Sequence, residues 1–236
     1  MRMLALGIRT VPRVRVPLVQ AASLSSDAPS KLRFDDILHD IHNFADAKKL
    51  PTANKLTALF RSVTSRQDFV EATKVLRIYE TMFVDPKQQT AGEFIKAAIT
   101  QDAEDLALKV FQQHRRIGMF VSTGSLNNLL LHLYKKRDHA SALALFEELK
   151  LYKVKPNAET YSLVIRHLLS SDNIDQLLDV LAVAGAAKLI KANTLNHILI
   201  QLFNRGKLDE VSKVVEIAAK HDVPQNDITK SVLGSK

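Results

Sequence analysis

Three features of this 236-residue chain predict an all-α fold, a right-handed α-solenoid of about five 35-residue helical hairpins behind an N-terminal capping helix. The first is a repeating apolar pattern. One column reads Leu76, Phe111, Phe146, Leu181 and Val215, and another reads Ala72, Ala107, Ala142, Leu177 and Val211. A third pairs Leu59, Phe94, Leu129, Val164 and Ile198 with the residues that follow them, Phe60, Ile95, Leu130, Ile165 and Leu199. Each step is 35 residues, except a step of 34 between the last two units. The second feature is the small number of helix breakers, seven Gly and seven Pro. The third is the phasing of Pro51, Pro86 and Pro156, which fall on the same period. Fixed self-similarity at this length marks stacked helical hairpins, each unable to bury its apolar face alone.

The elements follow in order. Residues 1–26 carry Arg2, Arg9, Arg13 and Arg15, no acid, and a Ser- and Ala-rich end. Arg-rich, Ser-containing and acid-poor composition describes a mitochondrial transit peptide, removed on import. A chloroplast address or an untargeted basic arm are the other readings. The arginines interrupt any secretory apolar stretch. Residues 27–52 are expected to form a capping helix, with Phe34, Ile37, Leu38, Ile41 and Phe44 at helical spacing and Pro51 stopping it. Ile37 and Ile41 lie one period before Ala72 and Leu76, so this helix is in register with the second helix of a hairpin. Five units follow over 53–226: 53–87, 88–122, 123–157, 158–191 and 192–226. Asp68, Asp102, Asp138 and Asp172 sit in the inter-helix turns and are candidate N-caps, since a short carboxylate accepts the orphan N–H groups of a first turn. Residues 227–236 are expected to be a frayed tail.

Composition narrows the function. The absence of cysteine excludes disulfides and thiolate metal sites. No apolar run is long enough to span a membrane. The net charge is +8, of which the four arginines of 1–26 supply +4 and the rest of the chain +4. That mild basic excess suits RNA or an acidic partner.

No catalytic set emerges: no phosphate-cradling glycine loop, no serine elbow and no carboxylate cluster of a metal-dependent nuclease. The chain therefore reads as a non-enzyme without cofactor or metal. His39 and His42 share a helix face but lack a third ligand. His132 and His167 stand one period apart and read as a shared core hydrogen bond in preference to a shared surface. Lys135-Lys136-Arg137 in a turn, with Lys153 and Lys155 in a loop, could touch phosphates or be solvated. His114-Arg115-Arg116 reads as cations at a helix C-terminus, where they complement the macrodipole.

The third unit carries a further signal. It runs Leu145-Phe146-Glu147-Glu148-Leu149-Lys150, then Val154-Lys155-Pro156-Asn157, with Thr160-Tyr161 opening the next unit. The fifth adds Asn204-Arg205-Gly206-Lys207-Leu208-Asp209-Glu210. These segments resemble the pentatricopeptide repeat family, whose period is also 35. The resemblance implies single-stranded RNA along one face, one base per repeat, read by a residue near the start of the first helix and another at the end of the repeat. Carried over, the pairs are Thr57 with Lys87, Gly92 with Ser122, Asn127 with Asn157, Ser162 with Lys191, and Asn196 with Asn226. The two Asn pairs offer donor and acceptor to a base edge, and the resemblance implies pyrimidines for them. The family's apolar residue three places before the first reader is missing here. Asn54, Gln89, Gly124, Glu159 and Asn193 stand instead, which removes stacking contacts, and the Glu159 carboxylate would repel phosphate.

Two functions are expected from this reading. One is a small matrix protein associated with mitochondrial RNA, whether messenger or ribosomal, acting in its processing, stability or translation. Its RNA contacts would be Asn127, Asn157, Asn196, Asn226, Ser162, Lys191, Lys135, Lys136 and Arg137. The other is a structural or assembly subunit of a large complex such as the mitochondrial ribosome, with other protein subunits as its partners.

Overall fold

The computed structural model describes residues 30–234. The expected leader, 1–26, lies outside them. Among the described residues there are twelve α-helices and one 3-10 turn. Helix α1 is Ser30–Asp46. The hairpins are α2 (Ala53–Arg61) with α3 (Arg66–Thr81), α4 (Gln88–Thr100) with α5 (Glu104–Gln112), α6 (Thr123–Lys135) with α7 (His139–Leu151), α8 (Ala158–Ser170) with α9 (Ile174–Ala186), and α10 (Ala192–Asn204) with α11 (Leu208–Lys220). The 3-10 turn, Arg116–Phe120, follows α5, and α12 (Asp227–Gly234) comes last. The first helices pack in sequence, α2 on α4, α4 on α6, α6 on α8, α8 on α10 and α10 on α12. They form one layer of an α-solenoid. The second helices form the other layer, with α5 against α7 and α9 against α11.

The apolar columns are what hold the layers together. Leu59, Phe94, Leu129, Val164 and Ile198 are all buried, as are Phe60, Ile95, Leu130, Ile165 and Leu199 on the first helices. On the second helices, Ala72, Ala107, Ala142, Leu177 and Val211 are buried, and small residues at three of these positions let the layers approach. In the N-terminal half the filling is aromatic: Phe60, Phe69, Phe94 and Phe111 follow one another with centroids 5.3–5.7 Å apart along the contacts through Phe94. Such pairs add about 0.5–1.5 kcal/mol each beyond area burial. Helix α1 inserts Phe34 and Ile41 against α2 and α3, so it covers the face of the first hairpin that no preceding hairpin covers.

Helix ends differ from expectation, for a conformational reason. Of the four aspartates, only Asp138 caps its helix, accepting from the Ser141 N–H at 3.1 Å. The cap of α3 is Ser65; Asp68 sits one turn in and completes a reciprocal capping box. Asp102 and Asp172 adopt left-handed backbone (φ 49° and 55°), the position that terminates the preceding helix, equivalent to Arg137 and Gly206. The second-helix ends have the same device at Phe83, Lys153, Lys188 and Asp222. There the next N–H turns back to an earlier carbonyl, as Val84 N–H does to Tyr79 O at 2.9 Å. Only one of these sites is glycine. A non-glycine side chain costs about 1–2 kcal/mol in this conformation.

Two other departures concern the ends of helices. Arg115 and Arg116 do not merely close α5. Arg115 pairs with Glu80 at 2.8 Å and Arg116 with Asp85 at 2.5 Å, clamping unit two to unit one. Residues 227–236 contain α12 rather than only a frayed tail, because Thr229 is buried beneath α10 and its hydroxyl donates to Asn196 Oδ1 at 2.5 Å.

His167 is the one fully buried histidine among the described residues. Its Nε2 is 3.0 Å from Leu130 O and must donate to it, so its Nδ1 is an acceptor. His139 Nδ1, 3.0 Å away, is therefore the donor of that contact. Tyr134 packs edge-on against the same ring. Burial holds the His167 pKa below the usual imidazole range, the Leu130 bond pushing the other way and His139 lowering it further. A depressed folded-state pKa means stability that is complete above the unfolded value and lost as pH falls through the folded one. Protonation would set two N–H groups against each other between the rings.

Two outcomes are expected. Phe83→Asn should raise stability by about 1 kcal/mol, seen as a higher urea midpoint, since Asn tolerates the left-handed backbone and Phe83 buries little. Lowering the pH from 7.5 to 5.5 should destabilise the protein, and His167→Gln should show a smaller loss over the same interval in urea titrations.

Candidate functional site

The first-helix layer brings the expected reader pairs together. Asn127, on α6, and Asn157, the N-cap of α8, meet with Asn127 Nδ2 donating to Asn157 Oδ1 at 3.2 Å. Asn196 Nδ2 likewise donates to Asn226 Oδ1 at 2.9 Å. The sequence reading left out the third member of each knot. The Thr160 hydroxyl donates to Asn127 Oδ1 at 2.7 Å, and Thr229 does the same to Asn196. Thr57 and Thr90 make the equivalent contact one end further up the stack, at 2.6 Å. The sequence did hold the signal, a threonine three residues after each repeat's last residue at 87, 157 and 226. Each knot joins the middle of one first helix to the first turn of the next.

Geometry assigns different jobs to the two asparagines. Asn127 and Asn196 are only 4 % and 5 % exposed. Asn127 also gives its second amide hydrogen to Glu159 Oε2 at 3.1 Å, so its N–H groups are both spent inside the protein. Asn157 Oδ1 accepts from the Thr160 N–H at 2.9 Å, and Asn226 Oδ1 from the Thr229 N–H at 3.0 Å. Capping thus fixes the oxygen inward and turns the Nδ2 of Asn157 and of Asn226 outward, with no partner for either among the described residues. Each pair presents an amide donor rather than a donor and an acceptor.

The other expected contacts divide. Ser162 is half-buried with no side-chain hydrogen bond among the described residues, and Lys191 is exposed at the start of α10 without capping it. Gly92 offers no side chain, and Ser122 caps α6 while its hydroxyl meets Ser125 at 2.9 Å. Lys135 and Arg137 are exposed and without ion pairs among the described residues. Lys136 is not available: its Nζ lies 2.8 Å from Asp102 and 2.7 Å from Glu104. Those two acids with His132, which contacts Glu104, are the one acidic-imidazole cluster among the described residues that could hold a metal. The Lys136 ammonium already supplies the cation there. Its hydrogen bond to Asp102 holds that carboxyl below its usual range. His132 and His167, though one period apart, thus make different bonds.

A groove of about 330 Å³ runs between α4 and α6, with Lys96, Lys135, Ser125 and Asn128 along it and Leu131 in its wall. It places the Lys135 ammonium, and Lys96 paired with Glu93 at 3.8 Å, beside neutral polar groups of the same layer that carries the knots.

Because the Thr160 hydroxyl is buried, Thr160→Val should cost about 1–3 kcal/mol by stranding Asn127 Oδ1. A double-mutant cycle with Asn127→Ala in urea titrations should show coupling of at least about 0.5 kcal/mol.

Residues 121–170 match the PPR repeat family. No curated protein matches the sequence. Among solved structures, the pentatricopeptide repeat protein PPR10 from maize superposes with a TM-score of 0.50 at 14 % identity, over 87 % of this chain and 30 % of that one. This likeness shows the fold. PPR10 in complex with an 18-nt psaJ RNA element gives a TM-score of 0.47 at 21 % identity, over 87 % of this chain and 29 % of that one. The PPR domain of Arabidopsis thaliana protein-only RNase P 1, in complex with tRNA, gives 0.46 at 14 % identity, over 73 % of this chain and 92 % of that domain. This chain therefore spans under a third of the length of the PPR10 structures.

Proposed function

We propose that this is a PPR protein that holds RNA along its first-helix layer, in the mitochondrial matrix, and serves organellar RNA processing, stability or translation by binding rather than catalysis. The carrying observation is that the unit within the PPR match, 121–170, is also one whose two reader positions meet, Asn127 and Asn157 at 3.2 Å. The outward Nδ2 groups of Asn157 and Asn226 suit base carbonyl oxygens, which are prominent on pyrimidines. Lys135, Arg137 and Lys191 supply positive charge for phosphates. The location in mitochondria is supported by the acid-free, arginine-bearing composition of 1–26.

A second reading is favoured by one observation. Glu159 is exposed beside the Asn127 knot and repels phosphate there. A solenoid with so few clean base positions also suits a structural or assembly subunit of a large mitochondrial complex such as the mitochondrial ribosome.

Asn157→Asp separates these readings, because aspartate caps as well as asparagine does but replaces the outward N–H donor with an anionic oxygen. With Asn226→Asp it should leave the urea midpoint nearly unchanged and weaken binding of a short oligouridylate at least about tenfold, about 1.4 kcal/mol, by fluorescence anisotropy. Unchanged affinity would remove these asparagines from the interface; no RNA binding by the unaltered protein would leave the complex-subunit reading.

A further inference from the structure

The second-helix layer is not evenly packed. Helix α5 packs on α7 and α9 on α11, while α7 and α9 stand further apart. Between these two opens a cavity of about 220 Å³, into whose wall α8 contributes Tyr161. Phe146 and Tyr161 line it together, meeting edge to face with ring centroids 6.1 Å apart. Val180 and Val183 line the α9 side, and Val183 is 60 % exposed. In a close-packed protein, a space of this size beside apolar walls is room for one long side chain.

Two of its polar groups are unmet. Tyr161 is 8 % exposed, and its hydroxyl has no hydrogen-bond partner among the described residues. The phenols of Tyr79 and Tyr152 do have one, donating to Thr52 O at 3.0 Å and to Phe111 O at 2.7 Å. Burial by itself holds the Tyr161 pKa above the ordinary phenol value. Buried phenols normally find a partner, so this one is open to a ligand. The charged lining is Glu147, Lys150 and Asp179. Lys150 Nζ lies 2.6 Å from Glu147 and 4.4 Å from the centre of the Phe146 ring, so these two charges cancel. Asp179 is exposed and without an ion pair among the described residues, as is Asp175 one turn earlier on α9. The position of Asp179 is lysine in three other units, at Lys74, Lys109 and Lys213. The lining therefore carries one uncompensated carboxylate beside one unpaired hydroxyl.

The structure assigns this cavity as a binding site for an arginine side chain presented by a protein partner. The guanidinium fork gives paired N–H donors to the Asp179 carboxylate and a further N–H to the Tyr161 hydroxyl oxygen, while its methylene stem runs along Val180 and Val183. An apolar side chain would leave the carboxylate and the hydroxyl unmet. A nucleotide would bring phosphate against Asp175 and Asp179. Arginine is also among the residues that anchor protein interfaces. The site lies between second helices, whereas the knots and the α4/α6 groove lie on the first-helix layer, so it does not rest on RNA binding.

The test titrates the full chain with acetyl-Leu-Arg-Leu-amide and follows the Val180 and Val183 methyl signals by NMR. The comparison peptide carries citrulline, which keeps the shape of arginine without its charge. The arginine peptide is expected to shift both valines and to bind at least about tenfold more tightly than the citrulline peptide. Asp179→Lys, which installs the residue found at 74, 109 and 213, should remove that preference. Tyr161→Phe should weaken the arginine peptide at least about threefold while the urea midpoint stays level or rises, since the lost hydroxyl bonds nothing in the fold. No binding of the arginine peptide, equal binding of the two, or indifference to either substitution would overturn the proposal. Oligouridylate that shifts the same valines and requires Tyr161 would make the occupant RNA and overturn it. Sedimentation showing self-association abolished by Asp179→Lys would make it a second copy of the chain and overturn it equally.

Discussion

Every hairpin of this chain leaves an apolar face that only the neighbouring hairpin can cover, and the rest of the structure follows from that dependence. Leu59, Phe94, Leu129, Val164 and Ile198 are buried because each lies under the next unit as well as its own. The same constraint explains α1, which puts Phe34 and Ile41 where a preceding hairpin would be. It explains α12 too, whose packing on α10 keeps Thr229 out of water. Ion pairs follow the seams rather than the surface at large: Arg61 with Glu93, Arg66 with Asp105, Arg115 with Glu80 and Lys207 with Asp172 all join one unit to the next. Exposed pairs of this kind each contribute little, about 0–1 kcal/mol. Their role is to fix the register of surfaces whose apolar contacts are non-directional.

The polar knots carry directional information through the same seams. A buried amide that lost its partner would cost more than the bond contributes when made, so the Asn–Thr and Thr–Thr contacts hold successive first helices at one rotation. They also tie structure to recognition. The first asparagine of each pair is buried and bonds within its knot. In the second, capping fixes the oxygen and leaves the nitrogen for a ligand. The geometry that aligns the helices therefore sets which chemistry the groove can offer. Units two and four lack such a knot. Gly92 has no side chain to contribute, and the Ser162 hydroxyl makes no bond.

Helix termination shows stability yielding to something else. Ten left-handed positions end helices among the described residues, and glycine occupies one. At Asp102 and Asp172 the short side chain returns part of the cost through ion pairs with Lys136, Arg205 and Lys207. Phe83 returns nothing inside the fold.

Periodicity alone made the helical hairpins legible, because a 35-residue repeat of apolar columns is a property of the chain itself. Burial of Ala72, Ala107 and Ala142 follows from that pattern without coordinates. The capping residues were not legible. Asp68, Asp102 and Asp172 have the right chemistry for N-caps, but a one- to three-residue shift in where the backbone turns gave the role to Ser65, Ala103 and Asn173. Periodicity located Asn127, Asn157, Asn196 and Asn226 as two pairs; only packing determined that one amide of each faces inward, since hydrogen-bond direction depends on a third residue brought in by the next hairpin.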